Sequence, residues 1–211
     1  MKMRRLSIFL IFFTILIIFP KPTSAYRPAS LFLDLSYVDP GQKNWRNTWA
    51  AGFGVTFPLS SKLAFFLNFS RWRFEVSSLD VRLWGGHLTL SPLVSGIHFL
   101  LWPRKIISPL LTIGIGYFFS EYHFNQRDII TIPEIIKLNK KVKGNLSGQM
   151  GVGVVLNLFR RADFWFQIEN YRTSLSVKTI IDDLNLGTFK KSESFPFRPI
   201  LYRFGLQINL F

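Results

Sequence analysis

Between Tyr202 and Leu210, apolar and polar residues alternate without a break: Tyr202, Phe204, Leu206, Ile208 and Leu210 on one phase, Arg203, Gly205, Gln207 and Asn209 on the other. Period two is the signature of a β-strand with two unlike faces. Few contexts accept such a strand. As an exposed edge in water it would leave a continuous row of large apolar side chains uncovered, so it needs either a covering layer or a solvent that is itself apolar.

The same alternation recurs along the chain. It predicts strands near Leu31–Val38, Trp49–Phe57, Leu63–Ser70, Trp84–Leu101, Leu111–Phe119, Gln149–Leu158, Phe164–Tyr171 and Tyr202–Leu210, eight in all. In the fourth, the apolar phase is even at Trp84, Leu88 and Leu90 but odd at Leu93, Ile97, Phe99 and Leu101. That change predicts a β-bulge near Ser91–Pro92, where one extra residue would reset the alternation. Connections alternate between short turns and longer loops, with loops near residues 39–48, 71–86, 120–144 and 172–198. Long loops on one side and tight turns on the other are the rhythm of a transmembrane barrel, and strands of about ten residues match a tilted bilayer crossing.

The chain begins with Lys2, Arg4 and Arg5, an apolar run from Leu6 to Phe19, and the small residues Thr23-Ser24-Ala25. These are the three parts of a secretory signal peptide, and the run is shorter than the roughly 20 residues of a membrane-spanning helix. The expected organisation is a signal peptide over 1–25, cleaved after Ala25, and one β-barrel over 26–211. Cleavage would lower the formal net charge from +14 to +10 by removing Lys2, Arg4, Arg5 and Lys21. A basic balance suggests nucleic acid, but export makes phosphate-rich lipid the nearer polyanion, and no nucleic-acid partner is expected. There is no cysteine, hence no disulfide framework and no thiolate metal site.

Which face meets which medium follows from bulk. One phase is large and continuous, whereas the other carries glycines 52, 54, 114, 116, 151, 153 and 205 among amides and charges. The bulky phase is therefore expected to face lipid. Phe32, Phe66, Trp165 and Tyr171 would then fill the lumen, since eight strands enclose only enough room for side chains. Asp34, Glu169 and Arg203 fall on the inward phase of the first, seventh and eighth strands. Barrel closure makes those strands neighbours, so Arg203 could bridge both carboxylates.

Arg203, Gly205, Ile208, Leu210 and the terminal aromatic Phe211 together resemble the C-terminal β-signal of bacterial outer-membrane barrels, with Phe211 one residue beyond the end of the apolar phase at Leu210. The whole expected mature chain resembles the small eight-stranded barrels of OmpA/OmpX type. The resemblance implies an all-β, eight-stranded antiparallel up-and-down transmembrane barrel in the outer membrane, a monomer, inserted by the barrel-assembly machinery with periplasmic chaperones. Its surroundings would be outer-membrane lipid and lipopolysaccharide.

No nucleophile elbow, zinc-binding helix motif, phosphate loop or dinucleotide fingerprint occurs, and neither a metal nor a cofactor is expected. The expected role is structural, or surface-binding and adhesive through basic outer loops. Arg127, Lys137, Lys140, Lys141 and Lys143 form a candidate polyanion-binding segment, which could also prolong the neighbouring strands above the membrane. Two alternatives stand beside it. Some small barrels are lipid A deacylases or acyltransferases that pair histidine with serine near the outer interface. The pairings available here are Ser91 or Ser95 with His87, and Ser120 with His123 and Glu121. The other alternative is a soluble periplasmic ligand-binding barrel, with its apolar phase turned inward.

Overall fold

The computed structural model describes residues 29–80, 83, 85–103, 105–123, 135–159, 161–183 and 187–210, without the side chains of 135–138 and 181–183. The expected signal peptide and Phe211 lie outside the described residues. Ten strands follow in order: β1 (Ser30–Asp39), β2 (Thr48–Pro58), β3 (Leu63–Val76), β4 (Gly86–Leu100), β5 (Ile107–His123), β6 (Ile135–Lys143), β7 (Leu146–Leu156), β8 (Ala162–Asp183), β9 (Gly187–Phe197) and β10 (Ile200–Asn209). Each barrel pairing is antiparallel, and β10 returns to β1 with Ser30 opposite Asn209, so the sheet closes.

Ten strands make eight staves. β8 is 22 residues long, and its first half is flanked by β7 and β10, its second half by β6 and β9. Two staves are thus interrupted, one at Gly144–Asn145 and one at Arg198–Pro199. A proline has no N–H to give to a ladder, which accounts for the second gap. The Pro199 carbonyl still accepts from Tyr171 N at 3.0 Å.

Around the lower and middle barrel the large apolar side chains point outward. Leu33, Phe53, Ile113, Ile115, Met150 and Phe204 all stand exposed, Ile115 at 70%. Polar residues with no counterpart in water, namely Asn68, Thr112, Gln149, Gln167 and Arg203, are buried in the lumen. This is the inverse of a soluble barrel, and a hydrocarbon belt is the only medium that makes it stable. The soluble-barrel alternative fails on this orientation. Tyr202, Tyr37 and Trp49 lie in one row across β10, β1 and β2, with ring centroids 6.4 and 5.4 Å apart, an aromatic girdle at the outer edge of the belt.

Above that girdle the orientation reverses. β3 does not end at Ser70 but continues to Val76, with Trp72, Phe74 and Val76 buried inside and Arg71, Arg73 and Glu75 exposed outside. The bulge predicted near Ser91–Pro92 is absent. β4 keeps one register against β3 from Leu63↔Phe99 to Val76↔Gly86, and one against β5 from His87↔His123 to Leu100↔Leu110. Leu88 and Leu90 are apolar on the inward phase because the barrel there projects into water, so the side that must be greasy is the inside. For the same reason much of the predicted loops 71–86, 120–144 and 172–198 is strand, in β3, β5, β6, β8 and β9.

Candidate functional site

Two features of the interior and one of the exterior bear on function. The first is the lumen charge cluster. Arg203 Nη2 donates to Asp34 Oδ2 at 2.7 Å and Nη1 to Glu169 Oε1 at 2.8 Å, so one guanidinium ties β10 to β1 and to β8. All three side chains are buried. Each carboxylate has a further donor: Ser36 Oγ to Asp34 Oδ1 at 3.0 Å, Asn68 Nδ2 to Asp34 Oδ2 at 3.3 Å, and Tyr171 Oη to Glu169 Oε2 at 3.1 Å. The guanidinium carbon lies 5.2 Å from the centre of the Trp165 ring. Such a network satisfies charges that would otherwise be prohibitive in a dry lumen. It also explains two glycines: a Cβ on Gly52 would come within 2.6 Å of Asp34 Oδ2, and one on Gly205 within 2.2 Å of Trp165. Gly205 thus leaves room for Trp165 against the final strand.

The second feature is an aromatic plug above this cluster. Trp72 contacts Phe118 and Tyr171 edge-on at 5.2 and 5.4 Å, and Phe197 packs on Phe118 and Phe74 at 6.2 and 6.0 Å. Trp45, from the β1–β2 link, covers Phe197 at 5.4 Å and donates its indole N–H to Asp80 at 2.9 Å. Leu83, Leu88, Leu90 and Leu175 complete a fully buried core at the outer end. Below it, on the periplasmic side, remains a small cavity of about 40 Å³, where His98 stacks on Phe66 at 4.3 Å. Composition alone did not reveal the plug; the signal was the shift of apolar phase within β4, which marks the height at which the outer medium changes.

The third feature is a three-stranded wing, β6–β8–β9. Lys141 and Lys178 sit directly opposite each other, and Lys143 and Lys190 share their outward phase with Ser176, Ser192 and Ser194. Of the predicted polyanion segment, Lys141 and Lys143 are exposed there, whereas Lys140 turns inward and is buried. Arg127 lies outside the described residues, as does the side chain of Lys137. Burial pushes the Lys140 ammonium down to about 8, against the pull of Asp80 and Glu193. Lys178 and Lys190 had been hidden in a stretch expected to be loop.

None of the serine–histidine pairings is assembled. Ser91 and His87 share an outward face but are four residues apart on one strand, roughly 14 Å at 3.4 Å per residue, and Ser95 is farther still. Ser120 is on the inward phase and donates to the Val142 carbonyl at 2.8 Å, while His123 is exposed and pairs with Glu121 at 3.1 Å. Among the described residues no cluster of potential metal ligands occurs.

No family model matches the chain, and no curated protein is detectably similar to it. Solved structures are similar in fold. The outer membrane protein OprG from Pseudomonas aeruginosa superposes with a TM-score of 0.61 at 12% identity, covering 87% of this chain and 97% of that one. Neisserial surface protein A gives 0.56 at 7% identity over 90% and 100%. The outer membrane protein AlkL, determined in lipid bilayers, gives 0.53 at 13% identity over 90% and 94%. The fold is that of the small outer-membrane β-barrels, which is also what the orientation of the belt requires.

Proposed function

We propose that this outer-membrane barrel is a closed, non-catalytic surface protein that binds anionic polysaccharide chains through the outward face of its β6–β8–β9 wing. The observation that carries the reading is the Lys141–Lys178 pair. Like charges directly opposite across a ladder repel, and with Lys143 and Lys190 they form a cationic face that also carries Asn139, Ser176, Thr188, Ser192 and Ser194. A polyanion spanning the face would relieve that repulsion and displace counterions. The plug supports the same reading, because a lumen filled by Trp72, Phe118, Tyr171 and Phe197 offers no aqueous path. Among the described residues none of the serine–histidine pairings is assembled, which favours binding over lipid chemistry. The test is retention of the refolded barrel on an immobilised sulfated polysaccharide. Replacing Lys141, Lys143, Lys178 and Lys190 with glutamine is expected to shift elution to markedly lower salt, as for any contact dominated by cation–anion pairing. Unchanged elution would refute the wing as the binding face.

A further inference from the structure

A different part of the exterior carries a second site. On β3 the outward column reads Phe65, Leu67, Phe69 and then Arg71, Arg73, Glu75, so the surface passes from apolar to cationic within a single residue pair. The β2–β3 ladder stops at this height: its last pair is Ala51↔Arg71, and the next contact is the isolated bridge Trp45↔Val76. Where the ladder lapses, an open groove of about 750 Å³ runs along the outside of the barrel, floored by Leu35, Trp49 and Ala51 and flanked by Arg71, Arg73 and His87. Ala51 makes the notch, since its outward neighbours on β2, Trp49 and Phe53, are large.

The charges around the groove are already sorted. Glu75 is held by Arg46 at 2.9 Å, and Glu121, at the far side of the groove, lies 3.1 Å from His123 Nε2. Arg71 and Arg73 make no ion pair among the described residues. They stand two residues apart on one face, roughly 7 Å, close enough for both guanidinium groups to reach one phosphate. They do so at the height of the aromatic girdle, where a lipid headgroup begins.

We infer that this groove is a docking site for a phosphate of lipid A, with Arg71 and Arg73 clamping the phosphate and Trp49, Ala51 and Leu35 receiving the first methylenes of an acyl chain. The occupant follows from position and charge. The groove is at the end of the barrel away from the joined termini and tight turns, hence in the outer leaflet. It pairs an apolar floor with two uncompensated cations, the complement of an amphiphile with an anionic head. Guanidinium is the group suited to bidentate phosphate binding. The site does not depend on the wing.

The experiment is native mass spectrometry of the mature barrel in maltoside micelles, titrated separately with bisphosphoryl lipid A, chemically dephosphorylated lipid A and phosphatidylglycerol. The wild type is expected to retain bisphosphoryl lipid A about ten-fold more strongly than either of the others, and R71Q/R73Q to lose that preference. R71K/R73K, which keeps the charge but not the fork, should fall between, and K62Q/K105Q, in the turns at the opposite end of the barrel, should behave as wild type. Unaltered folding of each variant is read from its heat-dependent gel mobility; should the double variant misfold, R73Q alone is compared across the three lipids. Retention undiminished in the folded arginine-to-glutamine variant overturns the site. Equal retention of dephosphorylated lipid A overturns the phosphate clamp, and equal retention of phosphatidylglycerol overturns the choice of lipid.

Discussion

Arg203 is the residue on which barrel closure converges, because the strand that bears it is bonded to β1 on one side and β8 on the other. Removing it leaves two carboxylates buried together without a counter-charge. Arg203→Met is therefore expected to destabilise the barrel by about 3–5 kcal/mol, the usual cost of breaking a buried pair from one side. Urea titration in micelles measures it. Adding Asp34→Asn and Glu169→Gln to the same variant should recover much of the loss, since neutral partners can share hydrogen bonds; no recovery would mean that the arginine acts through packing on Trp165 instead. The three charges could be placed together from sequence because period two fixes their phase and closure fixes their neighbours. Their helpers Ser36, Asn68 and Tyr171 could not, since which of many inward polar groups touch depends on register between strands.

At the scale of elements, β3, β4 and β8 each cross from one solvent to another. A period-two pattern declares that a strand has two faces but not which face looks where. In hydrocarbon the bulky phase is outside, in water inside, so a strand passing through both reverses its pattern with no change in geometry. Leu88 and Leu90 against Leu93 and Ile97 show that reversal, and reading it as a bulge mistook a change of environment for a change of backbone. The charged exteriors Arg71, Arg73 and Lys178 misled in the same way, since charge at strand spacing above a membrane is as compatible with sheet as with loop. The inward turn of Lys140 on β6 adds a pH dependence. Its ammonium is released near pH 8 in the folded protein rather than at the ordinary 10.5, so between those values the unfolded chain holds the proton more tightly. Stability should then rise with pH across that window. Lys140→Met is expected to be more stable than wild type below pH 8 and to lack that increment, measured by urea midpoints in micelles at pH 7 and 10. An identical pH response in both proteins would contradict the burial of this side chain.

At the scale of the whole molecule, two cores of opposite composition are stacked in one cylinder: a polar, hydrogen-bonded lumen within the bilayer and an aromatic one above it. The upper core closes the lower. In planar bilayers the wild type is expected to show no steady conductance, whereas Trp72→Ala combined with Phe118→Ala removes two rings of the layer that pack on each other and should admit a measurable ion current. If both proteins are silent, the seal lies elsewhere.

The stacking also divides the tryptophans by surroundings. Among the described tryptophans, Trp49 stands outward at the girdle, Trp165 faces the lumen, and Trp45 and Trp72 are enclosed beyond the headgroups. Brominated acyl chains, which extinguish indole emission only on contact, should therefore dim Trp49 and leave the light of Trp45 and Trp72 untouched, so that one protein reports optically on the two environments its strands connect.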